Sequence, residues 1–237
     1  MILVLLGGCV NTRITDQARS DLGRTGVVSL LGNSFHAMHV GTTVFNNSAY
    51  DGDASSWNID EDTAQYVRAR LSADGIQAEV MSLDPAARAS FRREDHGEFH
   101  RRDNTVETSY EELCRLAARQ GYDTLVVIAG FAANENGPPL EPGYGLFVRS
   151  FLGLSRGYTY AQFVIRVIDV KNESQLGRQI AHPVDAAPAK AIPWKSSLGE
   201  YSPAEQAAFR SAIEGHMRRE ADRMLAQLNL GATAGGS

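Results

Sequence analysis

The sequence predicts an α/β domain: a mixed central sheet with helices packed on it, as a three-layer or two-layer sandwich, with an antiparallel meander in the C-terminal half. Three observations carry this. Apolar, β-prone runs alternate with helical patterns through the first half of the chain. Residues 124–131 are apolar without alternation, as a strand covered on both faces must be. Residues 146–181 break into three strand-like runs joined by short turns, the mark of an antiparallel meander. The 237 residues, 43% of them hydrophobic and 22% charged, suffice for one sizeable core, and a single domain follows as the default.

Residues 10–25 are polar, with Asn11, Thr12, Thr15, Asp16 and Ser20, and read as a linker, so the domain is expected over 26–230 with a small-residue tail at 231–237. Residues 26–31 are apolar and β-prone, and 35–45 continue as strand, broken at Gly41 by a bend or bulge. Residues 46–58, rich in Asn, Ser, Asp and Gly, read as loop. Asp60 is expected to cap a helix reaching Ala73, with Ala64, Val67 and Leu71 on its inner face and Gly75 in the left-handed position beyond it. Residues 77–83 alternate as a half-buried strand. Asp84 and Pro85 pair a cap with a first-turn proline for a short helix to Phe91, and 92–104, almost wholly charged, read as a solvated loop.

Ser109 and Glu112 form a capping-box pattern ahead of Leu113, Leu116 and Ala117, and Gly121 ends that helix. After the central strand, 132–145 is a Gly, Pro and Asn loop. Residues 146–154 and 158–170 read as strands joined through Gly157, with a turn at 171–174 and a strand at 175–181. The stretch 185–198, with Pro188 and Pro193, is expected on the surface. Ser202, Pro203 and Glu205 combine a cap, a first-turn proline and a capping box before Phe209, Ile213, Met217, Met224 and Leu228 at helical spacing.

The chain begins with an apolar run ending in Leu6, Gly7, Gly8 and Cys9. Small residues ahead of a cysteine match a lipobox, in which an extended chain enters a signal peptidase and the thiol carries lipid. Cys9 is therefore the expected lipid attachment site, since several acyl chains on one cysteine give stable anchoring. Val10 rather than Asp follows it, which fits an outer-membrane lipoprotein facing the periplasm. The run has no Lys or Arg before it, so a start codon upstream is expected. The alternative reading makes residues 1–6 a buried first strand. No apolar run reaches the roughly 18 residues that a membrane-spanning helix needs. Cys114, the other cysteine, falls in an amphipathic stretch and reads as a small buried hydrophobe.

A net charge of -5 and a pI near 5.7 argue against nucleic acid as partner, because such affinity rests on clustered Lys and Arg. His96 and His100, with Asp95, Glu98 and Asp103, are the densest set of metal-ligand types. Gly97 weakens a helix there, however, and Arg92, Arg93, Arg101 and Arg102 neutralise the carboxylates, so no metal site is assigned. Gly32-Asn33-Ser34 lacks the glycine that a nucleophile elbow places two residues after its serine; His36 stands there instead. His36 and His39, three apart in a strand, fall on opposite faces. No Gly-rich phosphate loop occurs, and neither a catalytic residue nor a cofactor is assigned. The aromatic strand pair and the loop before it, with Tyr144, Phe147 and Tyr158, form the candidate surface for a protein partner.

Three stretches carry a resemblance: residues 26–35 as an opening strand, residues 117–130 as a helix ending in Gly-Tyr-Asp before an apolar strand, and residues 164–176, in which a polar turn follows an Asp-Val pair. With the order strand, helix, strand, helix, central strand, meander, helix, the chain resembles the periplasmic anticodon-binding-like module of the TolB N-terminal domain, CsgG and LpoB. The resemblance implies a non-enzymatic envelope lipoprotein that binds other envelope proteins or assembles with them, homo-oligomers included, and it transfers no individual functional residue. Two alternatives stay open: a metal-dependent envelope hydrolase using the His96 and His100 region, and a subunit of an oligomeric outer-membrane secretion channel.

Overall fold

A computed structural model describes residues 13–94, 104–131, 140–152, 154–183 and 191–231. Cys9 and the signal-like stretch before it, and the segment with His96 and His100, lie outside the described residues. In chain order the elements are α1 (Asp16–Ser20), β1 (Thr25–Leu30), β2 (Ser34–Val40), β3 (Ser48–Asp53), α2 (Ile59–Ala73), β4 (Ala78–Val80), α3 (Pro85–Glu94), α4 (Asn104–Arg119), β5 (Thr124–Gly130), β6 (Gly143–Phe151), β7 (Leu154–Asp169), β8 (Ser174–Ile180) and α5 (Pro203–Leu228). The strands form one mixed eight-stranded sheet in the order β3-β2-β6-β7-β5-β1-β4, with β8 also paired to β7. The predicted α/β class, with a mixed sheet and a C-terminal meander, is the observed one.

The sheet has two halves joined by β7. Its first part, Leu154 to Gln162, pairs antiparallel with β6, and β6 continues to β2 in parallel and β3 antiparallel. Its second part, Phe163 to Asp169, pairs antiparallel with β5 on one edge and β8 on the other, and β5 continues to β1 and β4 in parallel. β5 is buried along its whole length, which is why it shows no alternation in sequence.

Side chains of β5 leave it alternately. Val126 and Ile128 join Val27, Ile165, Val167 and the inner faces of α2 and α5, including Val67, Leu71, Ile213, Met224 and Leu228. Leu125, Val127 and Ala129 join Val28, Val164 and Ile168 beneath Phe91 of α3 and Leu113, Cys114 and Ala117 of α4. This half therefore has three layers. Over β2, β3 and β6 no described helix packs on the second side, so the other half has two.

The helix signals resolve into geometry. Ser202 accepts from Glu205 N at 3.3 Å and the Glu205 carboxylate accepts from Ser202 N at 2.7 Å, a closed capping box with Pro203 in the first turn. Asp84 caps α3 through Ala87 N at 2.8 Å. At the start of α2, Asp60 does not cap. Asn58 occupies that position with φ 53°, and the Asp60 carboxylate turns inward to accept from Ser29 Oγ at 2.7 Å and Leu31 N at 2.8 Å. It thereby clamps the first turn of α2 to the end of β1.

Other expectations are corrected. Of the stretch read as a linker, Ile14 and Leu22 are buried in the domain, Ile14 N donates to Leu228 O, and Thr15 caps α1; the fold thus begins before Gly26. Residues 46–58 contain β3, a polar edge strand that alternation analysis misses because it faces solvent over most of its length. Ser109 lies inside α4, which starts at Asn104. The chain turns from β6 into β7 after Phe151 rather than at Gly157, which sits within β7 opposite Val148.

Two stability predictions follow from this packing. A Cβ on Gly145 would overlap the His36 carbonyl oxygen across the β2–β6 ladder, so Gly145→Ala should cost about 3 kcal/mol, the upper range of overpacking, read from urea unfolding midpoints. Glu205 also accepts from Lys195 Nζ at 2.9 Å, and this bond with those from Ser202 depresses its pKa from 4.5 to about 2. A depressed carboxylate contributes stability that is complete above the unfolded pKa and is lost as pH falls from about 4.5 toward 2. Glu205→Gln should therefore lower Tm near pH 6 and flatten its fall over that acid window.

Candidate functional site

Strand alternation places one continuous set of side chains on the uncovered side of β3, β2, β6 and β7. Register orders them in rows. The first runs Asp51, His36, Gly145, Tyr160, and the second Ala49, Met38, Phe147, Tyr158. The third holds Val40 beside the directly opposed Arg149 and Arg156, and the last is Phe151 opposite Leu154, at the hairpin tip. Phe147, Tyr160 and Leu140, the last on the segment entering β6, form a small apolar cluster with Met38, Val40 and Tyr158 at its margin. Phe147 and Tyr158 stack at 5.2 Å between centroids.

Beside the aromatics lies a groove of about 350 Å³ lined by His36, Met38, Tyr50, Asp51, Glu141 and Tyr160. His36 Nδ1 is 2.6 Å from Asp51 Oδ1, with Asp51 exposed and the imidazole half-buried. Burial raises the pKa of the Tyr158 and Tyr160 phenols, so both stay neutral in ordinary buffers. Gln162, next along β7 on this side, is buried with neither side-chain amide atom partnered among the described residues. The groove thus offers an acidic rim and an aromatic floor.

The three aromatics predicted to share one binding surface do not do so. Phe147, buried, and Tyr158, part-exposed, stand together on the side that no described helix covers. Tyr144 is three positions from Phe147, so it points the opposite way: it is fully buried toward α5, near Trp57, and donates its hydroxyl to Gly32 O at 3.1 Å. His39 likewise faces the helix side, stacked 5.2 Å from Trp194 and bonded to Ser150 Oγ at 2.7 Å. His36 and His39 therefore act separately. Among the described residues no three His, Cys, Asp or Glu side chains converge as metal ligands, and Ser34 pairs with Asp53 at the sheet edge. Cys114 is buried under α4, and desolvation raises its pKa to about 11, which makes its thiol unreactive.

The outer end of this surface was not read from the sequence. Parallel pairing of β2 with β6 brings the β2–β3 turn beside the β6–β7 turn, and Thr42 Oγ1 donates to Ser150 O across them at 3.4 Å. All the exposed large hydrophobic side chains among the described residues are here: Phe45 at 93%, Leu152 at 78%, Leu154 at 70% and Phe151 at 60% exposure. A compositional signal was available, for neither 40–48 nor 149–156 contains an Asp or Glu although the chain holds 28.

No protein-family profile and no curated protein matches the chain. Among solved structures, the PelC dodecamer from Paraburkholderia phytofirmans is similar at 11% identity with a TM-score of 0.36, covering 94% of this chain and 95% of that one. A second PelC dodecamer from the same organism, a leucine-to-methionine variant, is similar at 10% identity with a TM-score of 0.34, covering 94% and 96%.

Proposed function

We propose that this chain is a non-enzymatic cell-envelope lipoprotein, tethered through Cys9 to the outer membrane and facing the periplasm, whose domain binds or assembles with other envelope proteins. The observation that carries the binding role is the side of β2, β6 and β7 that no described helix covers, where part-exposed Met38 and Tyr158 border the buried Phe147, with the His36–Asp51 pair at the edge of this aromatic and apolar cluster. Such composition suits a recognition core, because aromatic anchors dominate interface energetics when a partner excludes water from them. The Leu6-Gly7-Gly8-Cys9 sequence supports the tether. Self-assembly through this patch belongs to the same reading.

In-cell crosslinking with mass-spectrometric identification, followed by capture with purified components, tests it. Phe147→Ala with Tyr158→Ala should cut capture of the crosslinked partner by 10-fold or more, the loss of about 1.4 kcal/mol or more typical of anchor residues. Tyr144→Phe, which removes one buried hydrogen bond on the opposite side, should lower stability by about 1 kcal/mol and leave capture unchanged. Undiminished capture by a folded Phe147/Tyr158 double variant would refute the assignment. Mature-protein mass tests the tether, since an unmodified Cys9 in a chain retaining Met1 removes it.

A further inference from the structure

We propose that the two adjacent turns at the outer end of the sheet, residues 40–48 and the hairpin residues 149–152 with 154–156, insert into the headgroup region of an anionic lipid bilayer. This rests on the tip's own geometry and is independent of the lipid on Cys9 and of the Phe147–Tyr158 patch.

Four observations converge on a lipid surface. First, Phe45, Phe151, Leu152 and Leu154 are the exposed large hydrophobics of the described structure, and they sit on two neighbouring turns rather than in a groove. Convex apolar tips are shaped to penetrate a soft interface, and clustered exposure of this kind marks an interaction site. Second, apart from Arg149 and Arg156, the remaining residues of both stretches are Gly, Ser, Thr, Asn and Val, without a carboxylate that anionic headgroups would repel.

Third, Arg149 and Arg156 oppose each other one row behind the tip, both exposed and with no carboxylate partner among the described residues. Like charges directly opposed across a ladder destabilise it, and anionic headgroups at that depth would relieve the repulsion. In a chain of net charge -5, this acid-free basic pole is the part that a negative surface attracts, so charge orients the approach. Fourth, Leu152 holds φ 48° in the turn, a conformation that glycine or asparagine adopts at less cost. A bulky, exposed leucine retained there answers no local folding need.

The test uses the full chain with Cys9→Ser, so that no acyl chain contributes. In co-sedimentation it should bind vesicles of phosphatidylcholine with phosphatidylglycerol, and bind phosphatidylcholine alone at least 10-fold more weakly. The combination Phe45→Ser, Phe151→Ser, Leu152→Ser and Leu154→Ser, all at exposed positions, should abolish sedimentation while the melting curve stays unchanged. Arg149→Gln with Arg156→Gln should weaken binding to the anionic vesicles about 25-fold, taking about fivefold per arginine, and reduce its salt dependence. Separately, Phe151→Trp should give an emission shifted to the blue on vesicle addition and quenched by brominated acyl chains. Absence of vesicle binding, or equal binding by the four-serine variant, overturns the proposal. So does a concentration-dependent dimer that the same four serines dissolve without any lipid effect, which would make the tip a contact between copies. Because Phe147 and Tyr158 are intact in every variant, partner capture reads out separately.

Discussion

The length of β7 is the constraint on which the other features depend. A strand of 16 residues has more edge than any one neighbour covers. The chain solves this with β6 on the first part and with β5 and β8 on the second. The helix that covers one side is shorter. At 16 residues, α4 is about 24 Å long, whereas the same number of residues in β7 extends to about 50 Å. α4 lies over Val164 and Ile168, and Tyr158 and Tyr160 fall beyond it. The aromatic cluster without helix cover is thus the remainder left when a long strand is paired with a helix half its length.

What was legible in the sequence was whatever depends on near neighbours in the chain. The Ser202–Glu205 box, the Asp84-Pro85 start and the apolar run of β5 declare themselves because caps and burial on both sides leave signatures within a few residues. What escaped depends on distant partners. Ser48–Asp53 is polar and exposed, and only pairing with β2 makes it a strand. Gly157 looks like a turn, yet a Cβ there would come within 2.6 Å of Phe147 O, so its glycine answers to a cross-strand approach. Asp60 sits where caps sit, but the donors of Ser29 and Leu31 draw it inward. Tyr144 and Phe147 were grouped by aromaticity, although odd spacing in a strand separates them.

The uncovered surface is also electrically graded. Its inner end carries Asp51 and Glu141 around the groove, and its outer end carries Arg149 and Arg156 with no acid in either turn. The carboxylates beside the aromatics would repel an anionic surface that the tip attracts. One side of one sheet therefore presents two different chemistries, acidic and aromatic around the groove and basic and apolar at the turns.

The placement of the chain's entry into the domain limits how those contacts combine. Ala18 and Asp21 line the same hollow as Asp123 and Asp169, so the N-terminal segment packs at the end of β7 opposite the tip. If Cys9 is lipidated, residues 10–13 reach about 14 Å when extended, far less than the roughly 50 Å that a fully extended β7 would place between entry and tip. A domain standing upright on its anchor would then hold its tip well away from that bilayer, with the part-exposed Met38 and Tyr158 facing solution. A domain lying along the bilayer brings both ends to the lipid, and if its uncovered side faces down it removes the aromatics from solution. Under the proposed tether and the proposed tip insertion, anchor and tip engaged on one membrane in that posture would therefore exclude the proposed partner, and docking of that partner on the aromatic cluster would favour the upright posture.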